Sequence, residues 1–181
     1  MGVTFTPPRR LGVVAAALAF AIDQANKYWM IDIFDIAQRQ PINVLPVLDI
    51  VMVWNKGVSY GRLRADTDLG RWLLLGFMLV VTGVFTVWMW KTPGRVGAAG
   101  LGLIVGAALA NALDRFAHGA VADFYYFHTP FPLGPLSNYV FNLADVAIVA
   151  GVGLLLYETF LTGAQKTAKQ AVPDEGAPDS P

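Results

Sequence analysis

The sequence has no cysteine. That excludes disulfides, thiolate metal sites and a cysteine nucleophile. Charge is scarce too: 14% of the 181 residues are charged, against about 25% in an average soluble domain. Neither sign prevails, because thirteen basic side chains meet thirteen acidic ones. With no basic excess to neutralise phosphates, nucleic acid is excluded as a partner. His118 and His128 are the only histidines and no H-E-x-x-H pair occurs, so zinc-peptidase chemistry of that type is excluded. No metal and no cofactor is expected. No internal repeat is visible.

What is present is apolar. Hydrophobic residues make up 55% of the chain, more than a soluble globule of this size hides easily and far more than disorder allows. The expectation is an integral membrane protein. A span needs about 20 apolar residues to cross roughly 30 Å of hydrocarbon. Trp72 to Trp90 and Val96 to Leu113 contain no charge. Leu11 to Ile22 is apolar before Asp23 and Lys27 interrupt, and Tyr139 to Leu161 is apolar except for Asn142, Asp145 and Glu158. We read four transmembrane helices, at about 11–29, 72–90, 96–113 and 141–161.

The first span has a rival reading as a signal peptide, since Arg9 and Arg10 precede an apolar run containing Ala19-Phe20-Ala21. Its continuation to Tyr28-Trp29, an aromatic end suited to a membrane interface, favours a span. Arg9, Arg10, Lys91, Arg95, Lys166 and Lys169 lie on short flanks of one side, which puts both termini in the cytoplasm.

The domain plan is a membrane domain over 1–163 and a disordered cytoplasmic tail over 164–181, where Pro173, Pro178 and Pro181 fall. The outer loop at 30–71 contains Val47 to Trp54, a β-branched and aromatic run, followed by the turn signal Asn55-Lys56-Gly57. A small sheet is expected there, between the first two helices. The second outer loop, 114–140, holds Tyr125, Tyr126, Phe127, Phe131 and Tyr139 and reads as a segment lying in the interface. The fold class is thus a membrane all-α bundle of four helices with a small extracytoplasmic sheet.

The polar residues at membrane depth gather at the outer ends of the spans. Asp23 and Lys27 are four apart and share a helix face, as a structural pair. Asn111 and Arg115 are also four apart; an amide there bonds a neighbouring helix. Asp114-Arg115 reads as the end of the third helix at the interface. Asn142 and Asp145 begin the fourth span, and a carboxylate there is costly unless paired or hydrated. Asp123 alone reads as a loop acid. Joined with Asp145, it makes a different proposition. Two carboxylates facing one water share a proton; one takes a proton from the water and the other polarises a scissile carbonyl. Both flank one outer loop, which allows them to meet. Two other readings stay open on these residues: a small proton-linked transporter using the same carboxylates, and a membrane subunit without chemistry. Gly57-Val58-Ser59-Tyr60-Gly61 matches G-x-S-x-G, but the following residues make a poor buried helix.

Five stretches, in order, resemble lipoprotein signal peptidase (signal peptidase II), a family of aspartic proteases of bacterial inner membranes. They are Asp23-Gln24 with Lys27, Pro46 to Tyr60 with Asn55-Lys56-Gly57, Gly106 to Arg115 (GAALANALDR), Gly119 to Phe124 (GAVADF) and Phe141 to Asp145 (FNLAD). The resemblance covers roughly residues 11–157. It implies that Asp123 and Asp145 are the catalytic pair. It implies that Asn111, Arg115 and Asn142 orient that pair or the substrate. It also implies that Asp23, Lys27, Asn55 and Gly57 support the site. Implied substrates are prolipoproteins whose cysteine carries diacylglyceryl, cut just before that cysteine at the extracytoplasmic face by a monomer embedded in membrane lipid, with no cofactor. Ser59 then falls at a small-residue position. Ala107 and Ala110 depart from the family pattern by replacing glycines.

Overall fold

The computed structural model describes residues 6–57, 67–131 and 134–170. Helix α1 (Pro7–Tyr28) opens with prolines at its first positions, where the missing N–H is no loss. It widens into a π-helical turn, Trp29–Ile33. A one-turn helix α2 (Ile36–Arg39) follows, then strands β1 (Ile42–Leu45) and β2 (Leu48–Asn55). Helices α3 (Asp68–Lys91) and α4 (Arg95–His118) come next. Thr67 caps α3 by accepting from the Gly70 N–H at 3.1 Å. Gly119 ends α4 at φ 75°, a left-handed stop that favours glycine. Strand β3 (Val121–His128), a 3₁₀ turn (Gly134–Ser137), strand β4 (Asn138–Phe141) and helix α5 (Leu143–Gln170) complete the chain.

Among the described residues, Asp68–Lys91, Arg95–His118 and Leu143–Phe160 are long and apolar enough to cross a membrane. Helix α1 falls short of that measure because its last turns carry Asp23, Gln24, Asn26 and Lys27. Two thirds of the apolar window of α4 is buried, against 17% in α3 and 11% in α5, so α4 is the central helix. It packs on α1, α5 and α3, while α1 and α3 barely touch.

Small residues bring α4 so close. A Cβ on Gly102 would overlap the backbone of Gly12, and one on Gly106 would overlap that of Ala16. Gly100 and Gly151 meet in the same way across α4 and α5, each aimed at the other's carbonyl. Dispersion between backbones replaces the hydrophobic driving force that lipid cannot supply. Ala107 and Ala110 are fully buried in a cluster with Ala144, so their methyls fill space that packing tolerates.

The sheet has order β1-β2-β3-β4, all antiparallel. Two expectations are corrected here. The sheet is not confined to the loop between the first two spans, because β3 and β4 come from the second outer loop. The run VADFYYFH lies there as a strand paired with β2 and β4, not as an interfacial segment. Its alternation explains why. Ala122 and Phe124 bury themselves against Met30 and Ile36, which turns Asp123, between them, to the opposite face.

Two boundaries also move. Helix α4 runs past residue 113 to His118, carrying Asp114 and Arg115 into the interior instead of leaving them at the interface. Helix α5 continues to Gln170, so the expected tail begins as helix, in keeping with the helix formers in AQKTAKQ. Residues 171–181 and the Ser59-Tyr60-Gly61 part of the G-x-S-x-G match lie outside the described residues.

Candidate active site

Register across β2 and β3 sets Val53 opposite Asp123 and Asn55 opposite Val121. Asn55 therefore sits one diagonal step from Asp123, and its Nδ2 donates to Asp123 Oδ2 at 3.1 Å. Asn55 Oδ1 accepts from the Gly57 N–H at 3.0 Å, which fixes the amide's orientation. The other oxygen, Asp123 Oδ1, accepts from Asn142 Nδ2 at 2.6 Å.

Asn142 caps α5. Its Oδ1 accepts from the Asp145 N–H at 3.0 Å, and Asp145 Oδ2 accepts from the Asn142 N–H at 3.1 Å. This is a reciprocal capping box, with the acid at its third helical position. Asn142 thus binds both carboxylates at once. Its remaining contact, Nδ2 to Asn111 Oδ1 at 3.2 Å, ties the pair to α4.

Behind this lies a buried ionic layer. Lys27 Nζ meets Asp23 Oδ2 at 2.6 Å and Asp114 Oδ2 at 2.7 Å. It also donates to Asn111 Oδ1 at 3.0 Å. Asp23 Oδ1 accepts from the Ala144 N–H at 2.8 Å, in the first turn of α5. Asp114 accepts from Gln24 Nε2 at 2.9 Å and from the Ala122 N–H at 3.3 Å, one residue before Asp123. All three charged groups are below 5% exposed. Arg115 donates to the Gly57 carbonyl at 2.8 Å and holds the turn after β2. Arg71 in turn binds the Arg115 and Phe116 carbonyls at 3.1 and 2.6 Å, closing the end of α4.

Asp123, Asp145, Asn111, Arg115, Asn142, Asn55 and Gly57 line one cavity of about 210 Å³. Its other wall is apolar, with Leu74, Phe77 and Met78 from α3 and Ile148 from α5. Asp23 and Lys27 do not line it; they stand one layer behind. Burial, then the nearby Asp145 charge, pushes the Asp123 carboxyl up to about 6, against the opposing hydrogen bonds from Asn55 and Asn142. A carboxyl of that kind can exchange a proton near neutral pH. His118 packs against the Trp54 ring and His128 pairs with Asp49 at 3.2 Å. No group of three or more metal-ligating side chains forms among the described residues.

Sequence reading missed Asp114 as part of this layer. Its signal was there: Gln24, Lys27 and Asp114 are all polar positions on helices that small residues bring together. Their pairing spans almost ninety residues, and no local pattern marks it.

Fold and site define a class: a membrane-helix bundle with a buried carboxylate centre under a small sheet. Two solved bacterial membrane enzymes, determined by the in meso method, share the fold. One has a TM-score of 0.63 at 22% identity, covering 92% of this chain and 94% of its own. The other has 0.64 at 21%, covering 82% and 91%. The family model described as signal peptidase (SPase) II matches residues 15–161. The lipoprotein signal peptidase of Methylocella silvestris is 52% identical over 86% of this chain and 88% of its own length. That of Beijerinckia indica is 50% identical over 84% and 89%, and that of Nitrobacter hamburgensis 48% over 85% and 94%. The chain belongs to the signal peptidase II family.

Proposed function

We propose that this protein removes signal peptides from diacylglyceryl-modified prolipoproteins, cutting before the lipidated cysteine. Its relatives' name supplies the reaction; the geometry supplies a way to perform it. The observation that carries the reading is Asn142, whose side chain donates to the Asp123 carboxylate and whose backbone N–H donates to that of Asp145, at a cavity with an apolar wall. The two carboxylates share one proton and titrate as a unit. Water between them loses a proton to the ionised member and attacks the scissile carbonyl, whose oxygen takes the proton of the other. The tetrahedral intermediate then collapses, and the leaving amine recovers a proton from the pair. No metal or cofactor enters these steps.

Asn111 and Arg115 position the pair and the turn at Gly57, while the Lys27 layer holds the helices that carry them. The apolar wall suits a substrate whose lipid and signal helix stay in the bilayer. In this reading α1, α3, α4 and α5 all cross the inner membrane of a bacterium. Both termini lie in the cytoplasm, the site lies at the extracytoplasmic face, and the protein acts as a monomer.

Purified protein in detergent, given a diacylglyceryl-modified peptide and its unlipidated twin, tests this. Cleavage is expected only of the lipidated peptide and only by a chain retaining both aspartates. Full activity of Asp145→Asn, or equal cutting of the two peptides, overturns the reading.

A further inference from the structure

The outer ends of α3 and α4 are tied by one side chain. Arg71 stands in the first turn of α3, and that turn is fixed at its base. The Arg71 N–H donates to the Thr67 carbonyl at 3.0 Å, beside the Thr67 cap. Its guanidinium crosses to α4. Nε donates to the Arg115 carbonyl at 3.1 Å, and Nη2 to the Phe116 carbonyl at 2.6 Å. Both are among the last four carbonyls of α4, which have no partner within the helix. Gly119, the left-handed stop, lies against the same group: a Cβ there would stand 3.4 Å from Arg71 Cζ. Rings complete the joint. Arg71 Cζ lies 5.2 Å from the centre of the Trp72 ring, and Trp72 meets Phe116 edge-on at 6.2 Å.

Three routes to the carboxylate centre start from this joint. Along the chain, β3 begins two residues after Gly119 and brings Asp123 to the cavity. Through side chains, Arg115 donates to the Gly57 carbonyl, the Gly57 N–H donates to Asn55, and Asn55 donates to Asp123. Along α3, Leu74 and Met78 stand three and seven residues on from Arg71, on its face of the helix, and line the apolar wall. We propose that Arg71 is a positioning residue, which sets the Asp123 carboxylate against the apolar wall of α3; its bearing on cleavage rests on the peptidase reading. A lysine would give the end of α4 the charge it favours. The planar fork does more, because it holds two carbonyls at once while lying on a ring. Releasing it frees the end of α4 from α3 and lets the two walls of the cavity move apart.

Cleavage of a diacylglyceryl-modified peptide by the full chain in detergent tests it, with Arg71→Gln and Arg71→Lys. In Arg71→Gln, kcat is expected to fall roughly ten- to a hundredfold. KM is expected to stay within about twofold, since Arg71 does not line the cavity. Arg71→Lys keeps the charge and loses the fork, so its kcat is expected between those two; it carries the test if Arg71→Gln does not fold. Gly106→Val, lower on α4, gives the activity loss that a destabilised bundle alone brings. Wild-type kcat in Arg71→Lys overturns the proposal. So does a higher KM at unchanged kcat, or a kcat loss that Gly106→Val matches at the same thermal transition. The Asp123 titration, read from carboxyl infrared bands against Asp123→Asn, needs no substrate. It is expected to move downward in Arg71→Gln as water enters the loosened joint, whereas loss of a cation alone would move it upward. An unmoved or raised titration overturns the positioning role. A wild type that leaves the lipidated peptide uncut overturns the peptidase reading, and the titration then decides Arg71 by itself.

Discussion

Below Gly106 the helices meet backbone to backbone; above it they meet through charge. The lower half rests on Gly12, Gly100, Gly102, Gly106 and Gly151, where a Cβ would collide with a neighbour. The upper half buries Asp23, Lys27, Asn111, Asp114, Arg115, Asp123 and Asn142. Close packing of small residues stabilises a bundle wherever it occurs. Buried ionic groups do not, since desolvation takes back much of what pairing contributes. The contrast separates two tasks: one half supplies rigidity, and the other spends stability to hold Asp123 and Asp145 at the wall of a cavity.

Four experiments separate the halves, from the largest expected effect downward. Asp123→Asn and Asp145→Asn are each expected to lower kcat/KM by at least about a thousandfold, with the thermal transition retained. A variant that unfolds instead would show that the carboxylates hold the bundle together, and the contrast would dissolve.

Lys27→Met leaves Asp23 and Asp114 without their cation in the interior. We expect a loss of roughly 3–5 kcal/mol in unfolding experiments, much of it recovered by adding Asp114→Asn. A loss below about 1 kcal/mol would mean that water already screens the layer.

The third test uses pH. The Asp123 carboxyl titrates near 6 in the fold and at 3.8 in its absence, so the folded state binds more protons between these values. Its ionisation therefore costs stability, and that cost is fully present above about pH 6 and lost as pH falls through 3.8. Relative to the wild type, Asp123→Asn is expected to lose roughly 3 kcal/mol of stability on going from pH 7 to below pH 4. A difference independent of pH would contradict a buried, strained carboxyl. Removing the Asp145 charge should move the Asp123 titration downward, which carboxyl infrared bands can follow.

The smallest effects belong to the lower half. Gly106→Val is expected to cost about 1–3 kcal/mol by overpacking α1 against α4, with activity falling only as the fold does. Gly83→Ala, where a Cβ meets nothing within 4 Å, should instead stabilise α3 by about 0.5–1 kcal/mol. Equal responses at the two glycines would break the claim that the lower half is held by contact.

Much of this architecture was legible in order. The apolar runs marked the long helices, and Val47 to Trp54 marked β2. The spacing of Asn142 and Asp145 showed a polar cluster at a span's start. The illegible parts share a cause. Asp114 looked like a helix end because its partners, Gln24 and Lys27, arrive from a helix ninety residues earlier. The aromatics of β3 looked interfacial because the strand that pairs them, β2, lies about seventy residues away. The π-helical turn at Trp29–Ile33 has no sequence signature we recognise. Local periodicity reports which face is apolar; it does not report which distant charge will cover a polar one.

The reciprocal cap at Asn142 has a kinetic meaning. Because the same four hydrogen-bonding groups start α5 and hold Asp145, the proposed chemistry is tied to the weakest part of a helix, its first turn. Openings of that turn cost far less than melting the bundle. Heat should therefore silence the enzyme by fraying a single helix end, reversibly, at temperatures where the membrane helices are still intact.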